Sequence, residues 1–195
     1  MIVDYKNTLL QHIEPIAPLS EAERMAVLAA FQPKKLKKKE MLLFKGDISQ
    51  HMRFIAKGCL RSYYLDDNGQ EHILQFGIEG WWVNDLYSYL TQTPAEYFLQ
   101  AVEPAIVLQV QRSQLEALFK RVPPMERFFR IKMQNAYVAQ QERTIKGMRM
   151  TAEQRYIEFR EKYREIEQRV PQYMVASYLG VTPEHLSTIR KKINS

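Results

Sequence analysis

The sequence predicts an α+β fold, with an N-terminal antiparallel β-barrel or jelly roll, then a long helix, then an all-α helix-turn-helix domain. Three observations predict this order. From Lys35 to about Val110, apolar and polar residues alternate and turn residues follow at short intervals. From Met125 to about Met148, no proline interrupts a helix. The stretch Gln172–Ser195 then has the spacing of two short helices packed across a glycine turn. The predicted domains are residues 1–123, 124–149 and 150–195.

Composition and charge favour a cytoplasmic protein with a basic C-terminal part. The chain has no apolar run of the ~18 residues that a membrane helix needs, and its first residues lack the pattern of a secretory signal. One cysteine, Cys59, cannot form an internal disulfide. Residues 143–195 contain 11 Lys and Arg against 6 Asp and Glu, whereas residues 1–142 contain 17 against 16. A basic terminal domain is typical of proteins that bind the phosphate backbone.

Local signals place the individual elements. Ser20 opens a capping-box pattern, so a helix is expected from there to about Ala30. Asn68 and Gly69 both tolerate positive φ, which predicts a tight hairpin between two strands. A second capping box begins at Thr151 and opens the C-terminal domain. The predicted strands are Met41–Phe44, Arg53–Ala56, Leu60–Leu65, Glu71–Phe76, Tyr97–Val102 and Ala105–Val110, and a further short helix is expected from Ser113.

The long helix carries two apolar rows on different flanks. Residues on one row are Phe129, Met133, Ala136 and Gln140, and residues on the other are Ile131, Val138 and Ile145. One row can face the barrel while the other packs on the same helix of a second copy, which predicts a homodimer. The alternative is that the whole helix packs on its own domain.

The segment after Pro171 fits a helix-turn-helix. Pro171 suits the first helical position because its missing N–H would be unpaired there. Gly180 suits the reversal of the chain, and Thr182 suits the cap of the second helix. The residues expected in the shared core are Val175, Ala176, Leu179, Val181, Leu186 and Ile189. An unrelated pair of packed helices is the alternative.

The outer face of the second helix predicts binding to duplex DNA. With the core positions removed, this helix is polar and basic toward its C-terminus, as expected of a helix in the major groove. We expect Thr182 to hold a phosphate, Glu184 to accept from a cytosine N4, and Ser187 or Thr188 to touch a base edge. The predicted DNA-binding residues are Gln172, Tyr173, Thr182, Pro183, Glu184, His185, Ser187, Thr188, Arg190, Lys191 and Lys192.

Three stretches carry a resemblance to a known family. Phe54–Arg61 looks like a strand-glycine-strand signature, Asp67–Gly69 like a barrel hairpin, and Val170–Ser187 like a helix-turn-helix of Bacteroidetes-type members. On these residues the chain resembles the Crp/Fnr family of transcription regulators over essentially its whole length. The resemblance implies a cyclic-nucleotide-binding-like domain, a homodimer joined by the long helix, and a pseudo-palindromic DNA site. It also implies RNA polymerase as a partner, and effector binding that shifts the DNA-binding domains.

The chain departs from the family pattern at two places. Cyclic-nucleotide binders carry a Gly-Glu pair followed by an Arg-Ser or Arg-Thr pair that holds the cyclic phosphate, whereas Gly80–Asp85 and Pro94–Tyr97 stand here without that arginine. The effector is therefore not expected to be cAMP or cGMP, and one cysteine cannot ligate an iron–sulfur cluster. Tyr163–Gln168 also leads almost directly into Val170, which leaves no room for the usual β-hairpin wing.

An aromatic and polar group in the barrel predicts a pocket for an unidentified, apolar or planar effector. Its residues are Gly80, Trp81, Trp82, Asn84, Asp85 and Tyr97. The alternative is that the aromatic members only fill the core. No cofactor and no metal site are predicted.

The sequence leaves two other classes of protein as alternatives. A cupin-type enzyme would need clustered metal ligands, but His12, His51, His72 and His185 are scattered and form no His-x-His pair, so an enzyme is not expected. A regulatory module that binds a ligand or a protein without binding DNA is the second alternative. The basic end of the last helix argues against it.

Overall fold

Two antiparallel sheets and nine helices form the part of the chain that the computed structural model describes, residues 2–193, with side-chain contacts from residue 5 onwards. The helices are α1 (Ile2–Ile13), α2 (Glu21–Ala30), α3 (Leu86–Thr91), α4 (Arg112–Arg121), α5 (Pro123–Arg149), α6 (Ala152–Lys162), α7 (Arg164–Arg169), α8 (Gln172–Leu179) and α9 (Pro183–Ile193). The strands are β1 (Gln32–Leu36), β2 (Met41–Leu43), β3 (His51–Lys57), β4 (Leu60–Leu65), β5 (Glu71–Gly77), β6 (Phe98–Ala101) and β7 (Ala105–Gln111).

The two sheets confirm the predicted barrel or jelly roll. One sheet has the strand order β1-β7-β3 and the other β2-β6-β4-β5. All pairings within them are antiparallel. Inward-facing apolar residues of both sheets form one core: Leu36, Leu42, Leu43, Ile55, Leu60, Val83, Ala95, Leu99, Ala101, Ala105 and Val107.

The turn between β3 and β4 depends on a glycine. Gly58 has φ +97°, and a Cβ there would lie 2.6 Å from the Cβ of Ala105 and 2.8 Å from the carbonyl oxygen of Pro104. At the β4–β5 hairpin, Gly69 takes positive φ as predicted. Asn68 does not take positive φ; the non-glycine residues that do, in the described part of the chain, are Lys39 and Gln92.

A second core lies outside the β1-β7-β3 sheet, under α1, α2, α4 and the start of α5. Trp82 is near its centre and contacts the rings of Phe31, Phe54, Phe128 and Phe129 at centroid distances of 5.0–5.9 Å. Leu9 and Ile13 of α1 are fully buried in the same core, although no capping pattern predicted that helix. The helices on this face fix the beginning of α5 against the barrel.

Capping residues placed the starts of α2, α6 and α9 correctly. Both capping boxes are present, at Ser20 before α2 and at Thr151 before α6. α4 begins one residue before the predicted Ser113. The long helix begins at Pro123 rather than Met125, because a proline in the first turn costs no hydrogen bond. α7 was not predicted.

Candidate nucleic-acid interface

α8 and α9 form the predicted helix-turn-helix. Gly180 has φ +69° and ends α8, and the hydroxyl of Thr182 accepts the N–H of His185 at 3.2 Å at the start of α9. Pro171 is the residue before α8 rather than its first helical residue, since its ψ of 146° is extended. The apolar core that joins these helices to α6 is buried: Tyr156, Phe159, Val175, Ala176, Leu179, Leu186 and Ile189.

Most of the predicted DNA-binding residues share one exposed surface. The exposed members are Tyr173, Thr182, Pro183, Glu184, His185, Ser187, Thr188, Lys191 and Lys192. Two members lie at its border: Gln172 and Arg190 are half-buried, and the Oε1 of Gln172 and the Nε of Arg190 are buried without a hydrogen-bond partner. The outer side of α9 is therefore open to solvent while the barrel and the helical domain are packed together.

Charge is distributed unequally along α9. Glu184 lies in the first turn, whereas Arg190, Lys191 and Lys192 lie in the last. The helix dipole stabilises both: the acidic residue lies near the positive N-terminal end of α9, and the basic residues lie near its negative C-terminal end. Thr188 donates to the carbonyl of Glu184 at 3.1 Å, and Lys192 donates to Glu153 at 2.7 Å, so both side chains already have partners.

Known proteins match both parts of this structure. Residues 33–122 match the cyclic nucleotide-binding domain family. The anaerobic regulatory protein of Haemophilus influenzae is 27% identical over 185 residues, which cover 88% of this chain and 70% of that protein. The chain is a homologue of the Crp/Fnr-type transcription regulators.

Solved structures show the same architecture. CLP, the c-di-GMP-responsive global regulator of Xanthomonas campestris, superposes with a TM-score of 0.71 at 14% identity over 90% of this chain and 92% of that one. FixK2 of Bradyrhizobium japonicum superposes with a TM-score of 0.68 at 18% identity, covering 84% of each chain. At these identities the likeness concerns the fold.

The regulator has no β-hairpin before its helix-turn-helix within the described residues. β7 is the last strand there, and α6 and the short α7 connect α5 to α8. This agrees with the missing wing inferred from Tyr163–Gln168.

α8 is docked against the barrel through a serine. The Ser177 hydroxyl accepts the N–H of Ile73 at 2.9 Å and donates to the carbonyl of Glu71 at 2.8 Å. Next to it, the Arg143 guanidinium lies 4.4 Å from the ring centroid of Tyr178 and donates to the carbonyl of Leu74. These contacts were not predicted, because the two partners of each contact lie far apart in the chain.

Arg169 of α7 is a second junction between the helical domain and the barrel. It donates to Glu79 at 2.7 and 3.0 Å, to Glu103, and to Glu165 at 2.9 Å. Hydrogen bonds with Glu79 chiefly raise the pKa of Arg169. Burial raises the pKa of Glu79, but the hydrogen bonds from Arg169 and from the Gly58 amide outweigh it, so the net shift is downward.

Replacing Arg169 should make the free energy of unfolding depend less on pH in the acid range. A lowered folded-state pKa means that Glu79 stabilises the protein above the ordinary value of 4.5 and that this stability is lost as the pH falls through the lowered value. We expect Arg169→Gln to reduce the free energy of unfolding at neutral pH and to reduce its further loss between about pH 5 and pH 3. Urea unfolding at several pH values measures both.

Arg164→Gln is the matched control, since Arg164 is an exposed arginine of the same helix. It should leave the pH dependence of the wild type unchanged. An Arg169→Gln protein with the wild-type pH dependence would show that the Arg169–Glu79 pair does not contribute to the free energy of unfolding.

The predicted dimerisation residues are divided along α5. Phe129 is buried against the barrel, and Ile131 and Met133 are half-buried. Ala136, Gln140, Val138 and Ile145 are exposed, the last two at 54% each. Arg143 contacts its own barrel and its own α8, so the opposite side of the helix, with Val138 and Ile145, faces away from the chain.

The predicted effector-pocket residues fall into two groups. Trp82 packs in the aromatic core, Trp81 lies 5.8 Å from the ring of Tyr163, and Gly80 lies so close to His12 that a Cβ would be 2.5 Å from its Nε2. The other three form a polar network, described next. Whether any of the six binds an effector stays a prediction.

Asn84, Asp85 and Tyr97 are joined by hydrogen bonds near the start of α3. Asp85 caps α3 by accepting the N–H of Ser88 at 2.9 Å, and the Tyr97 hydroxyl donates to the carbonyl of Asn84 at 3.2 Å. Burial, with the nearby Asp85 carboxylate, raises the pKa of Tyr97. The Oδ1 of Asn84 accepts from Ser49 at 2.6 Å and from Arg53 at 2.8 Å.

Two other kinds of site have no counterpart in the described part of the chain. Residues 5–193 contain no group of three or more His, Cys, Asp or Glu that could hold a metal ion. None of the described helices combines the length and the apolar character needed to cross a membrane. Cys59 is buried, and burial raises the pKa of its thiol to about 12.

Proposed function

We propose that this regulator binds a pseudo-palindromic duplex as a cytoplasmic homodimer, with α9 of each copy in a major groove. The observation that carries the proposal is the exposed outer face of α9 on a buried helix-turn-helix core. α9 has 11 residues, and an α-helix with its side chains is about 10–12 Å across, which suits a major groove about 12 Å wide.

Each exposed residue has a proposed role. Thr182 and the N–H groups at the start of α9 bind a phosphate, and Glu184 accepts from a cytosine N4. Ser187 and Thr188 lie along the outer face and contact base edges. Tyr173, Lys191 and Lys192 contact the backbone, with Pro183 and His185 beside them. The half-buried Gln172 and Arg190 orient the neighbouring helices and reach phosphate only at the border.

The homodimer proposal rests on the exposed length of α5. This helix has 27 residues and is about 40 Å long, and beyond Met133 its side chains are largely uncovered. Tyr137, Val138 and Ile145 expose more than half of their surface. A second α5 packed on this side would bury apolar surface that solvent now contacts. RNA polymerase is a further proposed partner once DNA is bound.

The proposed effector of the barrel is not a cyclic nucleotide. Where such binders place the arginine that pairs with the cyclic phosphate, this chain has Ala95, which is buried, and Glu96, whose carboxylate lies 3.9 Å from Lys45. A carboxylate at this position repels an anionic phosphate.

Selection of bound sequences from random duplex DNA tests the function directly. We expect enrichment of two inverted half-sites whose centres lie about 10–10.5 base pairs apart, or a multiple of that spacing. Indifference of the purified dimer to every duplex at low ionic strength would contradict the proposal.

Replacing Lys191 and Lys192 by alanine should weaken binding to all DNA sequences alike. Each lost phosphate contact lowers the slope of log K against log salt by about 0.9, so the slope should fall by up to about 2 and the affinity by about tenfold or more. Fluorescence anisotropy across a salt series measures both quantities.

The matched control is Lys37→Ala with Lys38→Ala, which removes the same charge from the exposed turn after β1. This control should bind like the wild type. If both double variants lose affinity equally, then net charge rather than the end of α9 governs binding.

A further inference from the structure

A basic pocket opens at one end of the barrel, between β1, β2, β3 and β7. Its volume is about 370 Å³, within the usual range for small-ligand sites. The lining residues are Lys34, Leu42, Leu43, Asp47, Ile48, Gln50, His51, Arg53 and Gln109. Lys34, Arg53 and Gln109 share the inward face of their sheet, because each lies two residues from an interior residue of the same strand: Leu36, Ile55 and Val107 respectively.

Arg53 is a buried cation without a counter-ion. Arg53 is 4% exposed, and its Nη1 donates to Asn84 at 2.8 Å, to the His51 carbonyl at 3.3 Å and to Ser49 at 3.5 Å. Its Nε is buried without a partner. Among residues 5–193, no carboxylate forms an ion pair with it. Burial alone lowers its pKa, to about 10. A buried charge in this state is costly unless something neutralises it.

The other charges of the pocket favour an anion. Lys34 adds a second cation. The pKa of His51 is lowered chiefly by burial, and further by the positive charges of Arg53 and Lys34. Asp47 is the one carboxylate of the lining, and its Oδ2 accepts the N–H of Phe44 at 3.2 Å. Two permanent cations therefore face one carboxylate that is already hydrogen-bonded.

We propose that this pocket binds a small organic anion whose carboxylate or phosphate group pairs with the Arg53 guanidinium. Leu42, Leu43 and Ile48 give the rest of the ligand an apolar wall. Arginine binds either anionic group through two parallel hydrogen bonds, and its unpartnered Nε is one donor for that geometry. Arg53 comes from β3. In cyclic-nucleotide binders the arginine that holds the cyclic phosphate would instead lie between α3 and β6, so the two sites differ.

The site is also connected to α3. Arg53 and Ser49 share the Oδ1 of Asn84, and the Ser49 amide donates to the Ser88 hydroxyl of α3 at 3.0 Å. An anion that draws the guanidinium toward the pocket changes the partners of Asn84, the residue next to the α3 cap. The proposal goes beyond DNA binding, and its test uses the full-length protein without DNA.

Thermal unfolding with defined anions tests the proposal. The probes are inorganic phosphate, glycerol 2-phosphate and hexanoate, with hexanamide as the uncharged isostere of hexanoate and sodium chloride at matched ionic strength. We expect at least one anion at roughly a hundred times its Kd to raise Tm by about 5–10 °C, whereas hexanamide and chloride do not. Phosphate and hexanoate separate the two head-group chemistries.

Arg53→Met is the decisive variant. It removes the charge but keeps most of the volume, and Asn84 retains Ser49 as a donor. We expect Arg53→Met without ligand to have a Tm equal to or above that of the wild type, and to show no stabilisation by any anion. A purely structural arginine would instead give a lower Tm.

Lys34→Met is the second variant, at the rim of the pocket. By titration calorimetry we expect it to weaken the best anion several-fold without changing the fold. Arg121→Gln, an exposed arginine outside the pocket, should bind like the wild type. The proposal is overturned if no probe stabilises the wild type beyond chloride, if Arg53→Met responds as the wild type does, or if Arg53→Met is markedly destabilised or unfolded.

Discussion

Replacing Val138 and Ile145 by glutamate is expected to convert the proposed dimer into a monomer and to lower affinity for a two-half-site duplex at least about a hundredfold. The two side chains are half exposed on the side of α5 that faces away from its own barrel. In a parallel helix pair, glutamates at these positions would meet their own copies across the two-fold axis, where like charges repel. Sedimentation analysis and anisotropy measure the two effects.

Gln140→Glu is the control for this prediction. Gln140 is exposed on the opposite side of the same helix, about 200° from Val138, so the variant adds charge without touching the apolar row. It should remain dimeric and bind DNA. A Val138→Glu, Ile145→Glu protein that still sediments as a dimer would place the interface elsewhere.

Gly58→Ala is expected to destabilise the barrel by about 2–5 kcal/mol, lowering Tm by roughly 5–15 °C. Two costs combine here. The φ of +97° is unfavourable for any residue with a Cβ, and the new Cβ would lie 2.6 Å from that of Ala105. Since Ala105 belongs to β7 at the centre of its sheet, it has little freedom to move away. Denaturant unfolding measures the loss.

Gly46→Ala separates the two costs. Gly46 has a similar φ of +93°, but nothing lies within 4 Å of its added Cβ. The control should therefore cost only about 1 kcal/mol, the backbone contribution. Equal losses for Gly58→Ala and Gly46→Ala would mean that the β6–β7 turn shifts easily to accommodate the methyl group.

The helix-turn-helix was the part of the molecule that the sequence predicted best. The residues that define this motif lie close together in the chain, from Ala176 through Gly180 and Thr182 to Leu186. Residue type and spacing therefore suffice to predict it. Six strands also followed from the residue pattern, whereas β1 was not predicted, since Leu36 is its one buried residue. α7 escaped prediction because no cap marks its start, and Tyr163 lies between it and α6.

The contacts between the barrel and the helical domain could not be predicted. Ser177 and Arg169 bind partners 66–106 residues away in the chain, and nothing in their own surroundings indicates those partners. The aromatic run around Trp82 indicated apolar neighbours but not which core it would join. Arg53 did carry a signal, since a charged residue at an inward position of an alternating strand needs a partner or a ligand.

The Ser177 hydroxyl has a further consequence for how this protein behaves at high concentration. β5 is the outermost strand of its sheet, and Ser177 occupies one amide and one carbonyl on the side where a further strand would pair. Any rearrangement that lifts α8 away uncovers a template for strand addition by another molecule. Movement of the DNA-binding domain and resistance to aggregation are thus linked through a single side chain.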